Sequence, residues 1–380
     1  MNKRLITPSQ LSLFSISPVV GAWWDELSAQ GLFKEAKPEP TALEQQLKAD
    51  GIRHEELLVE KLKQEGYKVL SLQNDQSDRD YTATQEAMAS GADYIHQASL
   101  CNSEMCGRAD LLKRVEKPSL LGEWSYIPVE CKLASKPKTT FLIQALAYCE
   151  LLSPLLGECP DQFELYLGGG EFKTFNSKDF FAWYQHQRDR YREFRNNFKP
   201  DSPPIDEPGD HGHWTDFIQQ RLEDQRDLIL VADIRRSQRE KLRAEGITTI
   251  DALAALPEET TIAKLAPDTF QRLREQAQVQ LLAKDAQGRP GFRVKPVIDG
   301  RGLTQLPTAD PGDIWFDMEG FHDPVTGIKL EYLFGACYRA KEIGDLAFKP
   351  WWAHSPQEEK RAFEEWESWA AGRLSVNSLP

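Results

Sequence analysis

Tyr126-Ile-Pro-Val-Glu-Cys-Lys-Leu133 is a short apolar run that ends in charge, and its reading decides the fold. A run of this length predicts a buried strand rather than a helix. On a strand, residues two apart share a face, so Glu130 and Lys132 project together while Cys131 turns the other way. A carboxylate and an ammonium therefore aim at one spot. Twenty residues earlier, Asp110 sits in Gly107-Arg-Ala-Asp-Leu-Leu112, inside a second expected strand, Gly107 to Arg114. If the two strands pair side by side, Asp110 meets Glu130 in an oxygen-rich site suited to Mg²⁺ or Mn²⁺. A metal there activates water and neutralises charge on a phosphodiester, and Lys132 is placed to orient that water or stabilise a pentavalent phosphorus.

Working outward, Thr41 to Gly66 predicts a helix, with Ala42, Leu43, Leu47, Leu57, Leu58 and Leu62 as its apolar stripe and Gly66 as its stop. Strands are expected at Tyr67 to Ser71, Tyr94 to Leu100 and Phe163 to Leu167, with the turn Asn102-Ser-Glu104 between the second of these and Gly107. Helices are expected at Phe141 to Leu152 and Asp179 to Phe198. This order describes one α/β unit over residues 1–198. His54, in Gly51-Ile-Arg-His-Glu-Glu56, lies on the border of the first helix's buried face. Gln144 and Tyr148 stand one turn apart on a later helix.

These residues, in this order, resemble the RecB-type branch of the PD-(D/E)XK nucleases: a helical His54, Asp110 on a strand, the strand end Glu130-Cys-Lys132, and the helix bearing Gln144 and Tyr148. The resemblance covers residues 1–198 and implies a restriction-endonuclease-like mixed sheet flanked by helices. It implies that His54, Asp110, Glu130 and the Cys131 carbonyl hold Mg²⁺ or Mn²⁺. Lys132 is then the catalytic lysine, with Gln144 and Tyr148 positioning the site or touching DNA. Several members of that branch hold an iron–sulfur cluster through one N-terminal cysteine and three after the helix. Here Leu11 to Val20 has no cysteine, Cys149 lies within the helix itself and Cys159 is the one cysteine between that helix and residue 288, so no cluster is expected.

Residues 199–227, with Pro200, Pro203, Pro204 and Pro208, read as a linker, and the histidines of Asp210-His-Gly-His213 as solvated. Residues 228–287 read as a small helical unit, and the stretch 228–295 carries more basic than acidic residues. Its turn Gly246-Ile-Thr-Thr-Ile250 resembles a helix-hairpin-helix, with Leu242, Ile247, Ile250, Leu253 and Leu256 as the core. A second linker follows at 288–312. Residues 313–380 open with Asp313-Ile-Trp-Phe-Asp-Met-Glu-Gly320, where Asp317 and Glu319 share a strand face. This resembles the first motif of RNase H-like 3′–5′ exonucleases, and the three-part layout resembles a family of RecB-like nucleases. The expected third unit is a truncated RNase H-like α/β domain with a partial second site at Asp317 and Glu319.

Acidic residues outnumber basic ones 59 to 46, for a formal charge of −13, which argues against a protein that coats nucleic acid by bulk positive charge. Local contacts are expected instead from Arg188, Arg192 and Arg195, interleaved with Trp183, Tyr184, Tyr191 and Phe194, and from Arg235, Arg236 and Arg239. For the first helix the alternative is that its aromatics pack on the sheet. Six cysteines with no CxxC pair point to free thiols in a reducing compartment, hence the cytoplasm. No run approaches about 18 consecutive apolar residues, so no membrane partner is expected. The expected function is a metal-dependent DNA nuclease in repair or recombination, with RNA as a second possible substrate and a helicase as a partner or fusion. The alternatives are a non-catalytic nucleic-acid-binding module of a larger helicase-nuclease, and a truncated remnant.

Overall fold

The computed structural model describes residues 4–34, 42–72, 81–284, 287–310, 312–322, 328–340 and 346–377. Its first elements are α1 (Pro8–Ile16), α2 (Val20–Ala29), α3 (Ala42–Gln64), β1 (Val69–Ser71), α4 (Thr82–Ala89), β2 (Tyr94–Cys101), β3 (Cys106–Val115), β4 (Ser125–Lys132) and α5 (Thr139–Leu156). Then come β5 (Gln162–Leu167), β6 (Glu171–Asn176) and α6 (Ser177–Asn196). The six strands form one sheet in sequence order. The β1–β2 and β4–β5 pairs are parallel and the others antiparallel, so the sheet is mixed. The α5 helix makes the crossover that a parallel β4–β5 pair requires.

Both faces of the sheet are covered. On one face α1, α5 and α6 bury Leu11, Phe14, Leu146, Leu152, Tyr184 and Tyr191 against strand residues such as Ile95, Leu112 and Tyr126. On the other, α3 sets Leu58, Val59 and Leu62 against Tyr94, Leu111, Val129 and Tyr166. This explains why β4 reads as nearly continuous apolar sequence: six of its eight residues are buried, and only Cys131 and Lys132 at its end are partly open. The α3 stripe is narrower than its sequence suggests. Leu47 and Leu57 are exposed, while His54, Leu58 and Leu62, spaced four apart, form the buried row. Among the described residues α5 alone is long and apolar enough to cross a membrane, and here it is a core helix of the sheet domain.

Residues 199–227 depart from a linker. They carry α7 (Thr215–Asp224), and Trp214, Ile218 and Leu222 pack with Trp23, Trp24 and Leu27 of α2. Asp206 is buried, accepting from the Arg221 guanidinium at 2.8 Å and from the Trp24 indole at 3.4 Å. His211, expected to be solvated, is buried too, with Nδ1 at 2.6 Å from Ser17 Oγ and Nε2 at 2.7 Å from the Glu207 carbonyl. The proline-rich sequence is a strap that these polar contacts tie to the first domain. Free thiols are likewise revised at one pair. The hairpin register sets Cys101 directly opposite Cys106, and their sulfurs are joined in a disulfide.

The helical unit comprises α8 (Arg236–Ala244), α9 (Ile250–Ala254) and α10 (Pro267–Gln280). Leu242, Ile247, Ile250 and Leu253 are buried in its core and Leu256 packs at the edge, as the turn sequence suggested. Gly246 takes φ +80°, a left-handed turn that ends α8. A second, antiparallel sheet of β7 (Ile314–His322), β8 (Lys329–Arg339) and β9 (Leu346–Trp352) carries α11 (Pro356–Asn377) on one face, around Phe334, Ala336, Trp351 and Ala362. The opposite face exposes Trp315, Phe348 and Trp352.

Arg239 fixes the helical unit to the strap. Only 2% exposed, it donates to Asp227 at 2.7 Å, to Glu207 at 3.1 Å and to the Asp206 carbonyl at 3.0 Å. Its removal leaves the buried Asp227 charge with Arg243 at 3.3 Å and the Ile229 backbone N–H at 2.8 Å. Arg239→Ala is therefore expected to lower the unfolding free energy by about 3 kcal/mol in a urea titration. A loss below about 0.5 kcal/mol contradicts this role.

Candidate active site

The end of β4 is where the strand leaves its partner. Its ladder with β3 runs from Ser125 to Val129, so Glu130, Cys131 and Lys132 extend past the last paired residue, Leu111, and face the preceding Asp110. Asp110 accepts the Cys131 backbone N–H at 2.8 Å, which pins its carboxylate beside that strand end. Lys132 Nζ lies 2.8 Å from Glu130 Oε2 and 3.7 Å from Asp110 Oδ2. The structure thus brings Asp110, Glu130 and Lys132 together, as the alternation predicted. Tyr148 closes the back of the cluster from α5, buried, its hydroxyl donating to the Arg108 carbonyl at 2.6 Å. Gln144 sits one turn earlier on the same helix, half-buried.

Burial dominates the electrostatics. It raises the Asp110 carboxyl from 3.8 to about 8, with the neighbouring Glu130 charge pushing the same way and Lys132 opposing. Burial pulls the Lys132 ammonium down, but Glu130 and Asp110 outweigh it and hold this group above its ordinary value. Tyr148 is raised well above the phenol range by burial and then by the two carboxylates, so its hydroxyl keeps its proton and acts as a donor.

His54 stands on α3, 2% exposed, with its ring stacked on Tyr166 at 4.7 Å. Tyr166 in turn pairs with Cys131 across β4 and β5. Burial lowers the His54 pKa, favouring the neutral imidazole, whose lone pair can ligate a metal. Its Nε2 is buried without a hydrogen-bond partner, and so is Glu130 Oε1. Yet among the described residues no three His, Cys, Asp or Glu side chains are already gathered around a point that a cation could occupy. The charge that the carboxylates meet is the Lys132 ammonium.

Three further residues flank the cluster. Glu55, next to His54, accepts from His96 Nε2 at 2.7 Å and from the Gln97 amide, and its charge acts on Asp110. Gln97 adopts φ +59° inside β2. His96 faces Leu111 and Ala98 faces Ala109, so this left-handed residue lies opposite Asp110, where the ladder is interrupted. A non-glycine residue held there is strained, and such strain gathers at functional sites. No pattern in the sequence marks Gln97; Glu55 was legible only as the neighbour of His54.

The remaining expected sites fare differently. The α6 aromatics Tyr184 and Tyr191 are buried in the core, with Trp183 and Phe194 packed against it. Three of the four arginines between them are committed to carboxylates of the same chain, while Arg190 is exposed and lies over the Phe14 ring. Arg188 pairs with Glu150, Arg192 Nε donates to Glu104 at 2.6 Å, and Arg195 Nε lies 3.4 Å from Glu26. This helix is a structural brace, which revises its assignment to nucleic acid. Arg239 is buried as described, while Arg236 is exposed and 2.9 Å from Glu207, and Arg235 is exposed at the start of α8. Asp317 and Glu319 are both exposed on β7, with a bulge directly after Glu319.

A folded Asp110 with a raised pKa binds a proton that the unfolded chain releases above about pH 4. The metal-free protein should therefore lose stability as pH rises from about 4 to about 8, the value for folded Asp110. Asp110→Asn should flatten that decline, as read by urea denaturation in chelator at pH 5 and pH 8. An unchanged decline in the variant contradicts the assignment. No protein-family model matches the chain and no curated protein matches it, so the functional reading rests on this geometry.

Proposed function

We propose that the chain is a divalent-metal-dependent nuclease that hydrolyses phosphodiester bonds of DNA, with a restriction-endonuclease-like first domain. The observation that carries this reading is the cluster of Asp110, Glu130 and Lys132 at a strand end, in which Glu130 is buried and its Oε1 lacks a hydrogen-bond partner. An unpartnered buried carboxylate oxygen is costly, and a cation is a ligand that compensates it. The two carboxylates fit Mg²⁺ or Mn²⁺, and the resemblance adds the His54 imidazole and the Cys131 carbonyl as ligands. The metal, when bound, supplies an activated water and charge neutralisation on the phosphodiester.

The protein's own groups do the rest. Lys132 is always charged here and stands at the reacting spot, where its ammonium stabilises negative charge that builds on the phosphoryl oxygens. For a cation to enter, Lys132 must give up its hold on Glu130, and Asp110 must give up its proton. Tyr148 fixes the Arg108 backbone behind the site, and Gln144 presents an amide toward the same side of α5. The second sheet, with Asp317 and Glu319 on one strand, suits an RNase H-like fold. Its exposed carboxylates support no second activity.

The competing reading, a binding module without chemistry, draws on the closed Lys132 bridge. The two separate in a cleavage assay with Mg²⁺ or Mn²⁺ on end-labelled single and double strands. Wild type should cleave, and Lys132→Ala or Glu130→Ala should lower the rate by at least about a hundredfold while DNA affinity stays within about threefold. Absence of wild-type cleavage with either metal contradicts the nuclease reading.

A further inference from the structure

The nuclease reading leaves open which side of the centre receives the nucleic-acid strand, and the charges on its two sides differ. On the side of α3 and β2 lies a groove of about 810 Å³ lined by Glu55, Glu56 and Glu60, with His96 and Lys63 as its basic groups. Three carboxylates there oppose a phosphate backbone. On the other side, Leu133 to Lys138 leads from the end of β4 to the start of α5, and it carries Lys136 and Lys138, both exposed. Neither lysine forms an ion pair with a carboxylate among the described residues, in contrast to Arg188, Arg192 and Arg195 of α6. Phe141 links this loop to the centre: its ring lies 5.8 Å from Lys132 Nζ and 5.9 Å from Lys138 Nζ. The open groove beside the loop, about 400 Å³, is lined across from the lysines by His322 of β7, a residue that does not repel phosphate.

We propose that Lys136 and Lys138 seat the phosphates adjacent to the scissile bond, so that the substrate strand lies along the loop between β4 and α5 and away from the glutamate-lined groove. This assignment rests on the nuclease reading for the position of the scissile bond. It moves the nucleic-acid contact from Arg188, Arg192 and Arg195 of α6, each paired with a carboxylate of the fold, to two lysines that pair with no carboxylate among the described residues. Contacts of this kind position a strand without reading its bases, and they release counterions, so they show in the salt dependence of binding.

The test compares wild type with Lys136→Ala/Lys138→Ala by fluorescence anisotropy on a labelled 20-nucleotide single strand and its duplex. Binding is measured in Ca²⁺, over a series of salt concentrations. The double variant should bind at least about tenfold more weakly at low salt, and its plot of log affinity against log salt should be shallower by about 2. Lys136→Arg/Lys138→Arg should restore both, while thermal melting and Mn²⁺ affinity stay as in wild type. A double variant with unchanged affinity and slope overturns the loop assignment even if wild type cleaves, and so does a wild type that binds neither oligonucleotide. If wild type binds with the predicted slope change but cleaves with no divalent metal, the loop stands and the nuclease reading falls.

Discussion

A carboxylate buried at the end of a central strand, Glu130, with the partly open Asp110 of the neighbouring strand beside it, must be neutralised, and the local structure around the pair follows from that requirement. Lys132 neutralises one of the charges, the Cys131 N–H stabilises Asp110, and a proton on Asp110 removes most of what is left. Water could solve the same problem more simply, but β4 lies in the middle of a sheet covered on both faces. An arrangement this costly has no evident benefit to folding, since apolar residues of like volume pack at least as well. Its retention makes sense if a cation replaces the ammonium during function.

The same principle of charge disposal separates brace from binding surface elsewhere. Arg188, Arg192 and Arg195 of α6, Arg239 and Arg221 are each matched to buried or half-buried carboxylates, and they lock α6, the strap and the helical unit onto the first sheet. An arginine already held by a carboxylate offers little to phosphate. With an overall charge of −13, a surface that meets phosphate has to be a local one.

Much of the first sheet was legible because buried strands and core helices write their periodicity plainly. The run to Lys132, the hairpin around Asn102 and the α5 helix all appear within a few residues of their expected bounds. Composition misled where polar residues are buried in compensated pairs. Pro200 to Pro208 and His211 look solvated, yet Asp206 and His211 find partners in α2, α7 and the turn after α1, contacts up to about two hundred residues apart in sequence. The α1 and α2 helices escaped because their cores, Phe14, Trp23 and Trp24, are defined only by what they meet. The β6 strand is an edge strand whose alternating residues are mostly exposed. At the site, the side of each residue on its strand was readable, whereas the left-handed Gln97 opposite Asp110 and the stacking of His54 on Tyr166 are tertiary facts.

The central claim is that Lys132 holds a place a divalent cation takes. The most direct measurement is anomalous diffraction from crystals of the protein grown with Mn²⁺. The account predicts a manganese peak at coordination distance from Asp110, Glu130 and His54 Nε2, with Lys132 displaced from Glu130. Crystals in which Lys132 still bridges both carboxylates at millimolar Mn²⁺, with no anomalous peak between them, would contradict it.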